Sequence, residues 1–97
     1  MASASIVFTK LAKEPADFIS HEFASQTVAS GAASTACPAE FNYAMITALG
    51  GNIWIAITTD DSTPNPTVAT ARIPVQQDSV LLMMIQKGVK IGVLDQA

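Results

Sequence analysis

The feature that most constrains the fold is strict alternation of side chains on both sides of a glycine pair, Gly50-Gly51. A period of two is the signature of an extended strand, and β-branched and aromatic residues favour strand over helix. The pattern therefore predicts two strands joined at Leu49-Gly50-Gly51-Asn52, a sequence that favours a hairpin turn. The alternating sets are Tyr43, Met45 and Thr47 against Ala44, Ile46 and Ala48, then Ile53, Ile55 and Ile57 against Trp54, Ala56 and Thr58.

Other segments add short strands with turns at close spacing. We expect strands at residues 5–9, a pair of strands within residues 25–37 connected near Ser30-Gly31, and strands at 68–73 and at 89–94. Residues 79–85 are an apolar run too short for periodicity to separate strand from helix. The pattern predicts an all-β fold, a compact β-sandwich or barrel with an N-terminal extended arm.

Length and charge distribution divide the chain. Its 97 residues fit one domain. Residues 1–22 are charged and interrupted by Pro15, which indicates an arm or a first strand, and residues 23–97 form the β-sandwich domain. Between Phe23 and Thr59 the only charged residue is Glu40. We expect that stretch to be partly core and partly covered by another chain.

A crude energy balance leaves little margin for a solitary domain. Folding should bury roughly 9,000 Å², and the apolar share of that area contributes on the order of 140 kcal/mol. Ordering the chain costs about 145 kcal/mol. One cysteine allows no intrachain disulfide, so oligomerisation or docking is the expected source of additional stability.

Composition argues against several classes of partner. The net charge is −3, and the five Lys and Arg residues are scattered, so we expect no binding to nucleic acid or to an anionic membrane. No apolar stretch approaches the length of a membrane span, and the N-terminus does not resemble a secretory signal. Synthesis in a reducing cytoplasm, with Cys37 as a free buried thiol, is the expectation.

The sequence offers no catalytic, cofactor or metal site. His21 is a single histidine without a partner set, and Cys37 has no Cys-x-x-Cys mate. Asp60-Asp61 lacks the spacing of a calcium loop, although a weak site built from neighbouring loops stays open. The expected exposed loop contains Asp60, Asp61, Pro64, Asn65 and Pro66.

The second half follows one plan: a strand pair around a turn, a Pro- and Thr-rich loop, an Ala-Thr segment ending in proline, and a closing pair of strands. The segments that carry it are residues 43–48, 53–57, the loop Pro64-Asn65-Pro66-Thr67, then residues 68–74, 80–84 and 88–94. In this plan the chain resembles a group of small virion proteins of tailed bacteriophages. That resemblance covers about residues 25–95, and it departs where Met83-Met84 replaces an aromatic pair and Lys87-Gly88 replaces a Pro-Gly turn. It implies an all-β, jelly-roll-like subunit on a phage particle and favours strand over helix at residues 79–85.

These observations lead to the hypothesis of a non-enzymatic capsid decoration (cement) protein on the head surface of a virion. Its expected partners are copies of itself, as a homotrimer, and junctions of the major capsid protein lattice. Deletion of residues 1–14 is expected to abolish docking and to leave the β domain folded. A neck, tail or fibre-base component is the alternative, followed by a carbohydrate- or cell-surface-binding module. Candidates for self-association are Tyr43, Met45, Trp54 and Met83, and candidates for capsid docking are Ile6, Val7, Phe8 and Lys10.

Overall fold

A computed structural model describes residues 2–11, 19–59, 62–68 and 72–96. The described residues contain no helix and form two antiparallel sheets packed as a sandwich, which confirms the all-β prediction. One sheet has four strands in the order β2-β1-β3-β6, and the other has three in the order β5-β4-β7. The strands are β1 (Ser3–Leu11), β2 (Ile19–Ala29), β3 (Tyr43–Leu49), β4 (Ile53–Thr58), β5 (Ile73–Val75), β6 (Val80–Met84) and β7 (Lys90–Asp95).

The core lies between the sheets and follows the alternation in the sequence. Each strand places every second side chain inward, because successive residues of a strand point to opposite faces. Ile46 of β3 and Ile55 of β4 are both completely buried. The other buried apolar side chains of these strands include Ala4, Ile6, Phe8, Ala44, Ala48, Ile53, Val75, Ile91 and Val93.

The expected hairpin at Gly50-Gly51 is wrong, because β3 and β4 belong to different sheets. The turn is still there, with φ of 74° at Gly50 and 154° at Gly51, values that favour glycine. It carries the chain across the sandwich, so that the apolar faces of β3 and β4 meet in the core. β6 and β7 are likewise separated, since β6 pairs with β3 and β7 with β4.

The N-terminal segment is a strand inside the larger sheet. β1 pairs with β2 along one edge and with β3 along the other. Ile6 and Phe8 are 0% and 1% exposed, and the Ala2 amide donates to Asp95 Oδ1 at 2.8 Å. The expected extended arm is therefore corrected to an internal strand, because its apolar side chains and its backbone groups are satisfied within the same chain.

Residues 31–37 cover one edge of the smaller sheet. The chain turns at Ser30-Gly31, as expected, and then runs beside β7 without forming a regular strand. The Gly31, Ser34 and Cys37 amides donate to the carbonyls of Val93, Ile91 and Val89 at 2.8, 2.7 and 2.9 Å. The small residues of this segment thus close the β7 edge instead of pairing with β2 as a hairpin.

The proline-containing loop folds back over the smaller sheet. Pro64 and Pro66 are buried, so their expected exposure is wrong, whereas Asn65 is exposed. Asn65 Oδ1 accepts hydrogen bonds from the Thr67 amide and hydroxyl at 3.1 and 2.7 Å, which hold the turn. Pro64 is buried because it lies against Gly92 of β7. Asp60 and Asp61 lie outside the described residues.

We expect Gly92→Ala to destabilise the fold by about 1–3 kcal/mol, because an added methyl group overpacks this contact. A Cβ at Gly92 would lie 2.9 Å from the Pro64 carbonyl oxygen and 3.1 Å from Pro64 Cβ. Urea unfolding measures the change. As the control, residues 62–68 are replaced by a flexible Gly/Ser loop, and Gly92→Ala should then cost much less in a double-mutant cycle. An equal cost in both backgrounds would contradict the contact.

Candidate interaction surface

At the positions that the structure describes, the outer face of the four-stranded sheet is an uncharged surface built by four separate strands. Strand register places Val7, Ser25, Met45 and Leu82 side by side across it. We call this surface the outer face. Its positions are Ser3, Ser5, Val7 and Thr9 of β1, Phe23, Ser25, Thr27 and Ala29 of β2, Tyr43, Met45, Thr47 and Leu49 of β3, and Val80, Leu82 and Met84 of β6.

Large apolar side chains on the outer face are exposed to solvent. Phe23 is 63% exposed, Met84 62%, Val80 54% and Leu82 47%. Thr9 and Tyr43 are buried despite their place in the register. The chain has 13 charged residues, from five Lys and Arg plus eight Asp and Glu, and none occupies a registered position of the outer face. Interface cores are likewise depleted of charge and rich in aromatic residues and methionine.

The corresponding face of the smaller sheet is covered by the chain itself. Ala56 is buried, and the loop containing Pro64 packs on Gly92 beside it. Trp54 is half-buried, and the guanidinium carbon of Arg72 lies 3.8 Å from the centre of its ring. That cation–π contact occupies the ring that a sugar would use for stacking.

The free edges of the two sheets differ in how they are protected. β5 is short and contains Pro74, β7 is covered by residues 31–37, and β2 contains Glu22 and exposes Ser25 and Thr27. Charges, proline and covering segments are the usual devices that prevent edge-to-edge pairing. Residues 79–86, which include β6, contain no charge, proline or glycine, and the β3–β6 register shows no bulge.

The backbone of β6 offers hydrogen-bonding groups at that edge. The Ile85 amide donates to the Asn42 carbonyl at 3.0 Å, and the Ala48 amide donates to the Ser79 carbonyl at 3.4 Å. In an antiparallel pair, only every second residue of a strand forms backbone hydrogen bonds with the neighbouring strand. Since Ser79 and Ile85 bond to the β3 side, Leu81 and Met83 between them do so as well. The amides and carbonyls of Val80, Leu82 and Met84 therefore point away from β3.

An apolar groove of about 350 Å³ lies at the end of β6, between the sheets. Among the described residues, its lining contains no ionisable group. The described part of the chain also holds no cluster of three His, Cys, Asp or Glu side chains suited to a metal ion. The groove is lined by Ile57, Thr59, Met83, Met84, Ile85, Gln86 and Val89.

Cys37 is buried and free, as expected. Its thiol donates weakly to the Pro38 and Phe41 carbonyls at 3.5 and 3.7 Å. Burial, with a smaller contribution from the Glu40 carboxylate, raises the pKa of the Cys37 thiol above its usual value. A nucleophilic cysteine requires the opposite shift, so Cys37 is a packing residue.

The residues expected to mediate self-association lie in different places. Met45 is half-buried on the outer face, and Tyr43 is on the same face but buried. Met83 points to the core side and lines the groove, and Trp54 lies on the other sheet. The four residues do not form one patch.

The residues expected to dock on a capsid are divided between the two faces of β1. Ile6 and Phe8 are core residues, so their assignment to docking is corrected. Val7 is half-buried on the outer face, and Lys10 is half-buried at the end of the strand. The exposed residues Val80, Leu82 and Met84 were missed, although the absence of charge and proline around β6 was visible in the sequence.

In the part of the chain that the structure describes, no helix has the length and apolar character needed to cross a bilayer. Comparison with protein-family models, with curated proteins and with solved structures found no match.

Proposed function

We propose that this chain is a structural subunit of a virus particle, a capsid decoration protein that docks on a head shell through the outer face. The observation that carries the proposal is an exposed, charge-free sheet surface beside a second sheet that the chain covers itself. In this proposal the protein is made in the host cytoplasm and acts at the head surface by contact, without catalysis.

The chemistry of the outer face fits docking onto another protein. Exposed Phe23 and Leu82 provide apolar contact, while the Ser and Thr side chains between them provide hydrogen bonds without the desolvation cost of an ion. An anionic membrane or a nucleic acid would instead select a basic surface. A protein shell with an uncharged junction between its subunits is the partner that this face complements.

The size of the face favours many weak contacts over a single tight one. Four strands about 4.8 Å apart, with seven residues at about 3.4 Å each, give a surface on the order of 400 Å². A standard protein–protein interface buries about 800 Å² on each partner. One copy would thus bind weakly, and linked copies on a repeating lattice would gain affinity through effective concentration.

A binding assay with a matched pair of variants tests the proposal. Expanded heads of tailed phages, stripped of their own decoration proteins, are mixed with the purified chain and sedimented. Thr27→Lys places a charge on the outer face and should weaken binding about tenfold or more, because the interface would bury an unpaired cation. Thr63→Lys, in the exposed loop over the other sheet, should leave binding unchanged.

The number of bound copies separates the two virion locations. Saturation at hundreds of copies per head supports a shell protein, since a closed symmetric shell repeats its junctions many times. Saturation at a few tens of copies or fewer would place the chain at the neck, tail or fibre base. Absence of binding to any of the heads, or equal losses with Thr27→Lys and Thr63→Lys, would overturn docking through the outer face.

A further inference from the structure

We propose that two copies of this chain pair through their β6 strands, antiparallel and about a two-fold axis at Leu82, to form a continuous eight-stranded sheet. This inference deepens the proposed function, because it names the self-contact surface of the decoration subunit. The occupant of the β6 edge is thus a second copy of the same strand.

The unpaired backbone of β6 is the first reason. Val80, Leu82 and Met84 direct their amides and carbonyls away from β3, and no described segment pairs with that side. A two-fold at Leu82 sets Leu82 opposite its own copy and Val80 opposite Met84. The two-fold repeats the Val80–Met84 pair, so there are three pairs in all. The residues of each pair exchange two backbone hydrogen bonds, which gives about six new bonds.

The side chains of β6 are complementary to themselves in this register. Val80, Leu82 and Met84 lie on the outer face, and Leu81 and Met83 lie on the core side. A two-fold perpendicular to the sheet keeps each set on its own side. Apolar residues therefore meet apolar residues across the junction, as stable cross-strand pairs require.

The charge distribution favours β6 as the place where two copies meet. The chain has a net charge of −3, so identical molecules repel each other over most orientations. Residues 79–86 carry no charge, and pairing at β6 brings no ionised side chain of that segment against its own copy. Pro74 and residues 31–37 protect two of the other three edges, and β2 exposes the polar side chains of Ser25 and Thr27 where β6 exposes only apolar ones.

The geometry also sets the strength and the shape of the dimer. A strand-to-strand contact buries less than a standard interface, so a weak, concentration-dependent dimer is expected in solution. The two outer faces lie on the same side of the joined sheet, which doubles the surface available to a shell. The homotrimer of the initial hypothesis would need β6 to meet a different surface of the next copy.

Sedimentation equilibrium of two matched variants tests the backbone contact. Leu82→Pro removes the outward amide and should raise the dimer dissociation constant about 100-fold, because two hydrogen bonds are lost per dimer in addition to apolar contact. Proline is tolerated at an edge position whose amide faces solvent. Leu82→Val keeps that amide and has as many side-chain carbons as proline, so about a fivefold increase is expected. Equal effects of the two variants would overturn strand pairing.

Disulfide trapping tests the register and does not depend on how well the proline variant folds. Leu82→Cys should form a disulfide-linked dimer on mild oxidation, because bonded antiparallel partners lie about 5.5 Å apart between Cα atoms. Val80→Cys is the control, since two copies of residue 80 would be about 14 Å apart. A monomeric wild-type chain at high concentration, or a trimer without trapping at residue 82, would overturn the proposal.

The same variants separate this inference from docking on heads. Thr27→Lys should leave the dimer intact while it weakens binding to heads. Leu82→Pro should abolish the dimer. Because Leu82 also lies on the outer face, its loss of binding to heads is compared with that of Leu82→Val, and the excess loss in the proline variant measures avidity. If Leu82→Pro is monomeric and binds heads as well as Leu82→Val, the dimer exists but does not serve docking. If the wild type dimerises and ignores heads, the proposed function fails and the dimer stands.

Discussion

A chain that begins at residue 12 is expected to be unfolded. Removal of residues 1–11 takes away β1, which pairs with β2 and β3 and contributes the buried Ile6 and Phe8. These two side chains alone contribute on the order of 5 kcal/mol, and small domains have only about 5–15 kcal/mol in total. The loss of two strand ladders adds to this. We expect no cooperative transition in urea and no dispersed amide resonances.

A peptide of residues 1–11, added in trans, is the control for this truncation. It should restore a cooperative transition in proportion to its concentration, because binding of the missing strand stabilises only the folded state. The same peptide with Phe8→Ala should restore much less. A truncated chain that unfolds cooperatively without the peptide would show that β1 is a dispensable arm, one of the two alternatives that the sequence left open.

Phe8→Ala in the full chain should lower the free energy of unfolding by about 3–5 kcal/mol, the cost of emptying a packed aromatic site. Phe8 is 1% exposed and packs between the two sheets. Such a loss is a large part of the stability of a small domain. Urea unfolding, with far-UV circular dichroism as the signal, measures it.

Phe23→Ala is the matched control, because it removes the same atoms from a neighbouring place in the ladder. Phe23 pairs with Thr9, the residue after Phe8, and lies on the opposite face with 63% exposure. Its removal should change stability by about 0.5 kcal/mol or less. Similar losses in the two variants would contradict the assignment of the core and outer faces of β1.

The local sequence pattern predicted the positions of strands along the chain better than it predicted which strands pair with each other. The alternation of Ile53 and Ile55 identified β4, and Gly50-Gly51 marked a real turn. The hairpin inferred from that turn was wrong, because a glycine pair allows the chain to reverse within one sheet or to cross to another. Only the packing of β3 against β4 selects between these outcomes.

The sequence predicted that a candidate surface would lack charge, but it did not predict which strands would form that surface. The scarcity of charge between Phe23 and Thr59 indicated a surface that avoids ions. The assembled face also draws on β1 and on β6, which lie outside that stretch. Trp54 was a reasonable anchor by residue type, but its ring is occupied by Arg72 in the folded chain.

Local pattern alone was enough to identify β1, β3, β4 and β7, the turns at Ser30-Gly31 and Gly50-Gly51, the buried thiol and the absence of charge on β6. These follow from interactions between residues close in the chain, or from composition, which a linear pattern records. The assembled fold was needed to show that Ser3–Leu11 is an internal strand, that Pro64 is buried on Gly92, and that no described segment pairs with the outer side of β6. Each of these depends on which distant strand lies alongside, and a period of two specifies the face of a side chain without specifying its neighbour.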